Sequence, residues 1–201
     1  MPRILTLDAA LATCSAGLVE QDRLIAALTE RDSAALPLLA QRLVAAHPPP
    51  DLVAVTVGPG SFTGLRAAIA LAHGIAIGLG IELVGVTIGA ALGETPGRTL
   101  WTAIDTKRGS IFLERDGQAI SLSLDHLPDP TDPIAVAGDA AIQVASRLAA
   151  KGFNVRLLDD RAATPIGIAR AAAAGMTRPP LPLYIDPPHA KPGPPGRPPP
   201  A

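Results

Sequence analysis

The chain has 201 residues, 48% hydrophobic and 17% charged, which is enough for one domain or two small lobes with real cores and too apolar for disorder throughout. Aromatics make up only 2%, so the core must be built from Ala, Leu, Ile and Val, and few platforms are on offer for stacking bases. A net charge of -1 without a basic tract argues against holding RNA alone, and the single cysteine, Cys14, excludes an internal disulfide or a multi-cysteine zinc cluster and fits a reducing compartment.

The start, MPRILTLDAALATC, has the outline of a lipoprotein signal, but Asp8 breaks its apolar region and Thr13 is a poor residue before a cleavage point. Arg3 to Asp8 alternates as a strand. Thr13 to Val19 reads as a second, which would bury Cys14 as a small hydrophobe, and Leu24 to Leu28 as a third after the turn at Gln21-Asp22-Arg23. Ser33 introduces a helix over 34–46, with Leu36, Leu39 and Leu43 at helical spacing and a hard stop at His47 and three prolines. Strand 52–57, a glycine-rich loop, helix 62–79 and strand 81–86 follow, with a crossover long enough to join parallel neighbours.

After the turn-rich stretch 93–97, a second lobe opens near Thr99. Strands over 100–105, 110–114 and 119–124 repeat the opening theme of strand, Asp, hairpin, so that Asp8 and Asp105 hold matching places. A strand at 134–137, a helix capped by Asp139 and running to Ala150, and a strand at 154–158 come next. Thr164 then caps a last helix, with Pro165 at its first position and Gly175 at its end. The expected division is a first lobe over 1–98, a smaller second lobe over 99–178 and a proline-rich tail over 179–201, extended and solvated beyond Asp186.

The loop Gly58-Pro59-Gly60 is stiff, and Ser61 is placed to cap the helix that starts at Phe62. It is not a phosphate-binding P-loop, because Gly64 is followed by Leu65 and Arg66 and not by Lys and a hydroxyl residue. Nor is it a dinucleotide fingerprint, because the sixth position from Gly58 is Thr63. In the helix, Ala70, Gly74 and Gly78 recur on one stripe, which another backbone can approach closely.

The string GPGSFTGLR, comprising Gly58, Pro59, Gly60, Ser61, Phe62, Thr63, Gly64, Leu65 and Arg66, resembles the signature of the TsaB (YeaZ) family, with the resemblance running over roughly residues 3–186. That family holds the non-catalytic partner subunits of the bacterial enzyme that makes threonylcarbamoyladenosine in tRNA. The resemblance implies an α/β, two-lobed fold of the actin-like ATPase, Hsp70 and sugar-kinase (ASKHA) superfamily. It implies an accessory subunit without catalysis, cofactor or metal, acting in the cytoplasm and away from membranes. Its partners would be TsaD in a heterodimer, TsaE in a ternary complex, a second copy when alone, and tRNA only through the complex. The contact surface would be the two helices of the first lobe, hence Leu36, Leu39, Leu43, Ala67, Ala70, Leu71, Gly74 and Gly78. Two departures stand out: Ala9-Ala10 follow Asp8 where the family has a hydroxyl residue, and Asp186 follows Tyr184-Ile185 where it has Arg.

The residues leave two rival readings. One is a free-standing nucleotide-dependent kinase or ATPase with Asp8 and Asp105 around a metal-bound triphosphate, although methyl groups at Ala9-Ala10-Leu11-Ala12 stand where the backbone should be bare to hold phosphate. Asp8 reads better as a turn residue bonding nearby N–H groups. The other rival, a metallopeptidase, finds no paired histidines, since His47, His73, His126 and His189 are scattered. Ser61 and Thr63 have no base near in sequence, and Arg66 is open to an anion, a partner carboxylate or a surface position.

Overall fold

The computed structural model describes residues 2–93 and 95–185. Asp186 and the prolines after it lie outside the described residues. The strands β1 (Arg3–Asp8), β2 (Cys14–Glu20) and β3 (Arg23–Glu30) form an antiparallel meander. Its second hairpin turns on Gln21 and Asp22, both at positive φ (49° and 63°), the mirror-image turn whose twist suits paired strands. Asp32 then caps a single 3₁₀ turn through Ala34 N at 2.9 Å, and α1 (Leu36–Ala46) runs to the proline stop. β4 (Leu52–Gly58) lies parallel to β1, α2 (Phe62–Leu79) crosses over, Gly80 at φ 66° ends it, and β5 (Glu82–Thr87) closes a sheet of order β3-β2-β1-β4-β5. A short helix, α3 (Ile88–Leu92), leads out of it.

The second half repeats the plan with β6 (Thr99–Asp105), β7 (Ile111–Arg115), β8 (Gln118–Leu122), β9 (Ile134–Ala137), α4 (Ala141–Ala150) and β10 (Val155–Leu157). Its order, β10-β9-β6-β7-β8, is that of the first sheet strand for strand, and Asp116-Gly117 make the hairpin turn equivalent to Gln21-Asp22, again at positive φ. The expected cap of α4 is corrected. Asp139 Oδ1 accepts from Asp105 N at 2.8 Å, so it ties the helix entry to β6, and α4 starts after Ala140 without a side-chain cap.

Three apolar clusters fill the molecule. One lies between the first sheet and α1 with α2, a second on that sheet's opposite face, and a third in the second lobe between its sheet and α4. Leu36, Leu39 and Leu43 belong to the first of these and are fully buried, which removes them from the expected contact surface. The i, i+3, i+7 spacing that suggested an apolar face is the face α1 turns to its own sheet; outward it shows Pro37, Leu38, Gln41 and Arg42.

The last helix is also relocated. α5 (Pro165–Ala173), capped by Thr164 Oγ1 accepting from Gly167 N, packs on β1, β2, β4, β5 and α3, so it closes the back of the first sheet although it follows the second in sequence. Two glycines make the seat: Gly17 faces Pro165 and Gly167 faces the Ala91 carbonyl. Arg170 completes the contact with a two-pronged pair to Asp22 at 2.5 and 2.8 Å. An added Cβ at Gly167 would stand 2.0 Å from Ala91 O, a backbone atom that cannot step aside. Gly167→Ala is therefore expected to cost about 1–3 kcal/mol of stability, measured by urea unfolding, despite the gain in helix propensity.

Candidate functional site

The glycine loop sits on the turn that follows Asp8. Ser61 N donates to Ala10 O at 2.6 Å, and Ser61 Oγ accepts from Gly64 N at 3.3 Å, as the capping pattern predicts. A Cβ at Gly60 would come within 2.2 Å of Ala10 O, and one at Gly64 within 2.0 Å of Ala9 O. These two glycines are thus needed for close approach of backbone to backbone. Gly58 takes φ 118° and a cis bond to Pro59. Ala9 and Ala10 are buried beneath the loop.

Asp8 itself is buried, and its Oδ1 accepts from Thr56 Oγ1 at 2.5 Å and from Ala10 N at 3.0 Å. Burial pushes its carboxyl above the ordinary range, against the pull of those two donors. The turn-residue reading holds. Asp105, its counterpart, repeats the same local bond by accepting from Lys107 N at 2.7 Å, but it is only half-buried. Lys107 Nζ reaches both Asp105 (3.0 Å) and Asp139 (3.2 Å), and donation from the Lys107 backbone and ammonium holds the Asp105 carboxyl below its usual value. A cavity of about 280 Å³ adjoins this pair, lined by Gly109, Ser110, Leu124 and Gln143. The two aspartates share no hydrogen-bond partner.

The outer face of α2 is open. Ala67, Ala70, Gly74 and Gly78 are exposed, a Cβ at either glycine would meet nothing within 4 Å, and Leu71 is half-buried. Ile77 on the same face is 80% exposed. Between α1 and α2 runs an apolar groove of about 470 Å³, lined by Pro37, Gln41, Val44, Leu71, Ile75 and Gly78. With 18 residues and a mean hydropathy of 1.5, α2 is long and apolar enough to cross a membrane, yet Leu65, Ala68, Ile69, Ala72 and Ala76 pack it on the sheet as a core helix. His73 is exposed, with Nε2 3.4 Å from the Pro180 carbonyl. Among the described residues no three His, Cys, Asp or Glu side chains gather as a metal site. Cys14 is buried in β2, where burial raises its thiol.

Two features escaped the sequence. Residues 178–184, at the start of the proline-rich stretch, return along the first lobe: Arg178 and Gly85 exchange backbone bonds at 2.8 and 2.9 Å, and Leu183 N donates to Val57 O at 2.8 Å. Glu114 is buried between the lobes, accepting from Thr87 Oγ1 (2.6 Å) and Gly89 N (3.0 Å), with Arg178 nearby; burial raises its carboxyl. Only the absence of a side chain at Gly89 admits it, since a Cβ there would lie 2.6 Å from the carboxyl carbon. A lone Glu in a strand gives no signal of this.

Two sheets of one topology, each opening on a strand, an Asp turn and a hairpin, define a two-lobed α/β protein of the ASKHA class. The sequence model of the TsaD family, described as tRNA N6-adenosine threonylcarbamoyltransferase, matches residues 34–169, and the chain belongs to that family. An uncharacterized protein of Mycobacterium tuberculosis and one of Mycobacterium bovis are each 34% identical over 209 residues, covering 94% of this chain and 94% of theirs. Among solved structures, YeaZ from Pseudomonas aeruginosa shares the fold with a TM-score of 0.73 at 21% identity, over 92% of this chain and 100% of that one. The ethanolamine utilization protein EutJ from Carboxydothermus hydrogenoformans follows at a TM-score of 0.51 and 14% identity, over 84% and 89%.

The contrast between seated and open glycines is measurable. Gly64→Ala is expected to lose about 1–3 kcal/mol by clashing with Ala9 O, whereas Gly74→Ala should gain about 0.5–1 kcal/mol from helix propensity, both read by urea unfolding. Asp8 gives a pH signature. Its native carboxyl is raised, so its contribution is an ionisation penalty that is absent below about pH 4 and grows as pH climbs through the native value. In Asp8→Asn the amide oxygen can still accept from Thr56 and Ala10, and the stability difference between variant and wild type should rise in the variant's favour from pH 4 to pH 7.

Proposed function

We propose that this chain is the non-catalytic scaffold of the assembly that transfers threonylcarbamoyl to N6 of the tRNA adenosine next to the anticodon. In this reading it holds TsaD in a competent state by docking it on the outer face of α2 and the adjoining groove with α1. Membership of the TsaD family supports the pathway. The observation that carries the docking surface is the bare stripe of Ala67, Ala70, Gly74 and Gly78 on an apolar helix packed on its sheet by the opposite face, with open space over both glycines. Exposed apolar helical surface favours association, and two glycines one turn apart let a second helix come close. The α1 contribution shifts from the buried leucines to Pro37, Gln41 and Val44 on the groove wall.

An accessory role also agrees with Asp8. Its carboxyl is occupied by Thr56 and Ala10, and the turn after it is roofed by the glycine loop, so that turn offers no bare row of N–H groups to a phosphate. TsaE would join the assembled pair, tRNA would be reached through the complex, the bare face would pair with a second copy when TsaD is absent, and the work would be done in the cytoplasm.

Gly74→Leu tests the surface. The side chain points into open space and should leave folding intact, with an unchanged circular dichroism spectrum, while co-purification with TsaD is lost. Complex formation at wild-type affinity would refute the stripe as the interface.

A further inference from the structure

We infer that the chain carries a second docking surface, at the N-terminal end of α2, for an acidic segment of a partner protein. Phe62 and Tyr184 are 54% and 58% exposed in a chain whose aromatics number five, and their rings lie 5.6 Å apart at 39°. Leu181, three residues before Tyr184 on the same returning segment, is 65% exposed. The Arg66 guanidinium lies 4.8 Å over the Phe62 ring, and no carboxylate among the described residues pairs with it.

Hydrogen bonds place the backbone on both sides of the cluster: Ser61 caps the helix start at Phe62, Leu183 N donates to Val57 O next to Tyr184, and the Pro180 carbonyl lies near His73. Tyr and Arg are among the anchors that dominate protein interfaces, and Phe is enriched in them. The charge selects the occupant. α2 contains no Asp or Glu and no described carboxylate pairs with Arg66, so its guanidinium adds positive charge to an apolar rim, complementary to a carboxylate flanked by apolar side chains. Nucleic acid fits less well, since the chain as a whole carries a charge of -1 and no basic tract continues the patch.

This surface rests on the scaffold reading and adds to it a site for a second protein contact besides the α1–α2 groove. The experiment places the photo-crosslinker p-benzoylphenylalanine at Tyr184 of the full chain, in the reconstituted assembly with TsaD, TsaE and tRNA. The expected result is an adduct with one protein, mapped by mass spectrometry to a segment containing Asp or Glu, with a yield that falls about fivefold in Arg66→Glu and in high salt but not in Arg66→Lys. An adduct with tRNA or with a second copy of the chain would overturn the inference. So would a yield no higher than from the same probe at Ile120, an exposed apolar position on β8. Failure of the assembly to form at all would instead count against the scaffold reading, which keeps the two outcomes distinct.

Discussion

The fold of the first lobe depends on one close approach: the glycine loop lying directly on the carbonyls of Ala9 and Ala10. With any side chain at Gly60 or Gly64 the helix N-terminus would be lifted away from the β1–β2 turn. That contact fixes where α2 begins and therefore how its inner residues meet the sheet and which residues are left facing outward. It also fills the space over the turn after Asp8. The same backbone geometry thus covers Ala9 and Ala10 and leaves the outer side of α2 open.

The second constraint is the joint between the lobes. Glu114 reaches from β7 to the entrance of α3, Arg178 bonds Gly85 on one side and the Gly117 carbonyl on the other, and α5 crosses back to the first sheet. A buried carboxyl with three polar neighbours is costly to displace, which ties the two halves together.

Much of this was legible in the sequence, because local patterns carry local structure. The run from Phe62 to Leu79 has a cap, an unbroken helical composition and a glycine stop, and the structure gives those bounds. The repeated strand, Asp and hairpin correctly announced a duplicated sheet. What stayed hidden was placement. The five residues of α3 are too few to show a period, and Leu36, Leu39 and Leu43 showed an apolar face without showing what covers it. Nothing local in Pro165–Ala173 says which sheet it joins. Asp139 looked like a helix cap and instead bonds β6, since a side chain one residue early can reach either backbone.

The crossing of α5 has a further consequence for how the molecule is made. The ion pair of Arg170 with Asp22 spans 148 residues, and the back of the first sheet stays uncovered until that helix has left the ribosome. The N-terminal half therefore cannot mature ahead of the rest during synthesis, and its apolar rear waits for the last helix to arrive. Contacts this distant in sequence slow folding, and the apolar rear of the sheet is exposed in the meantime.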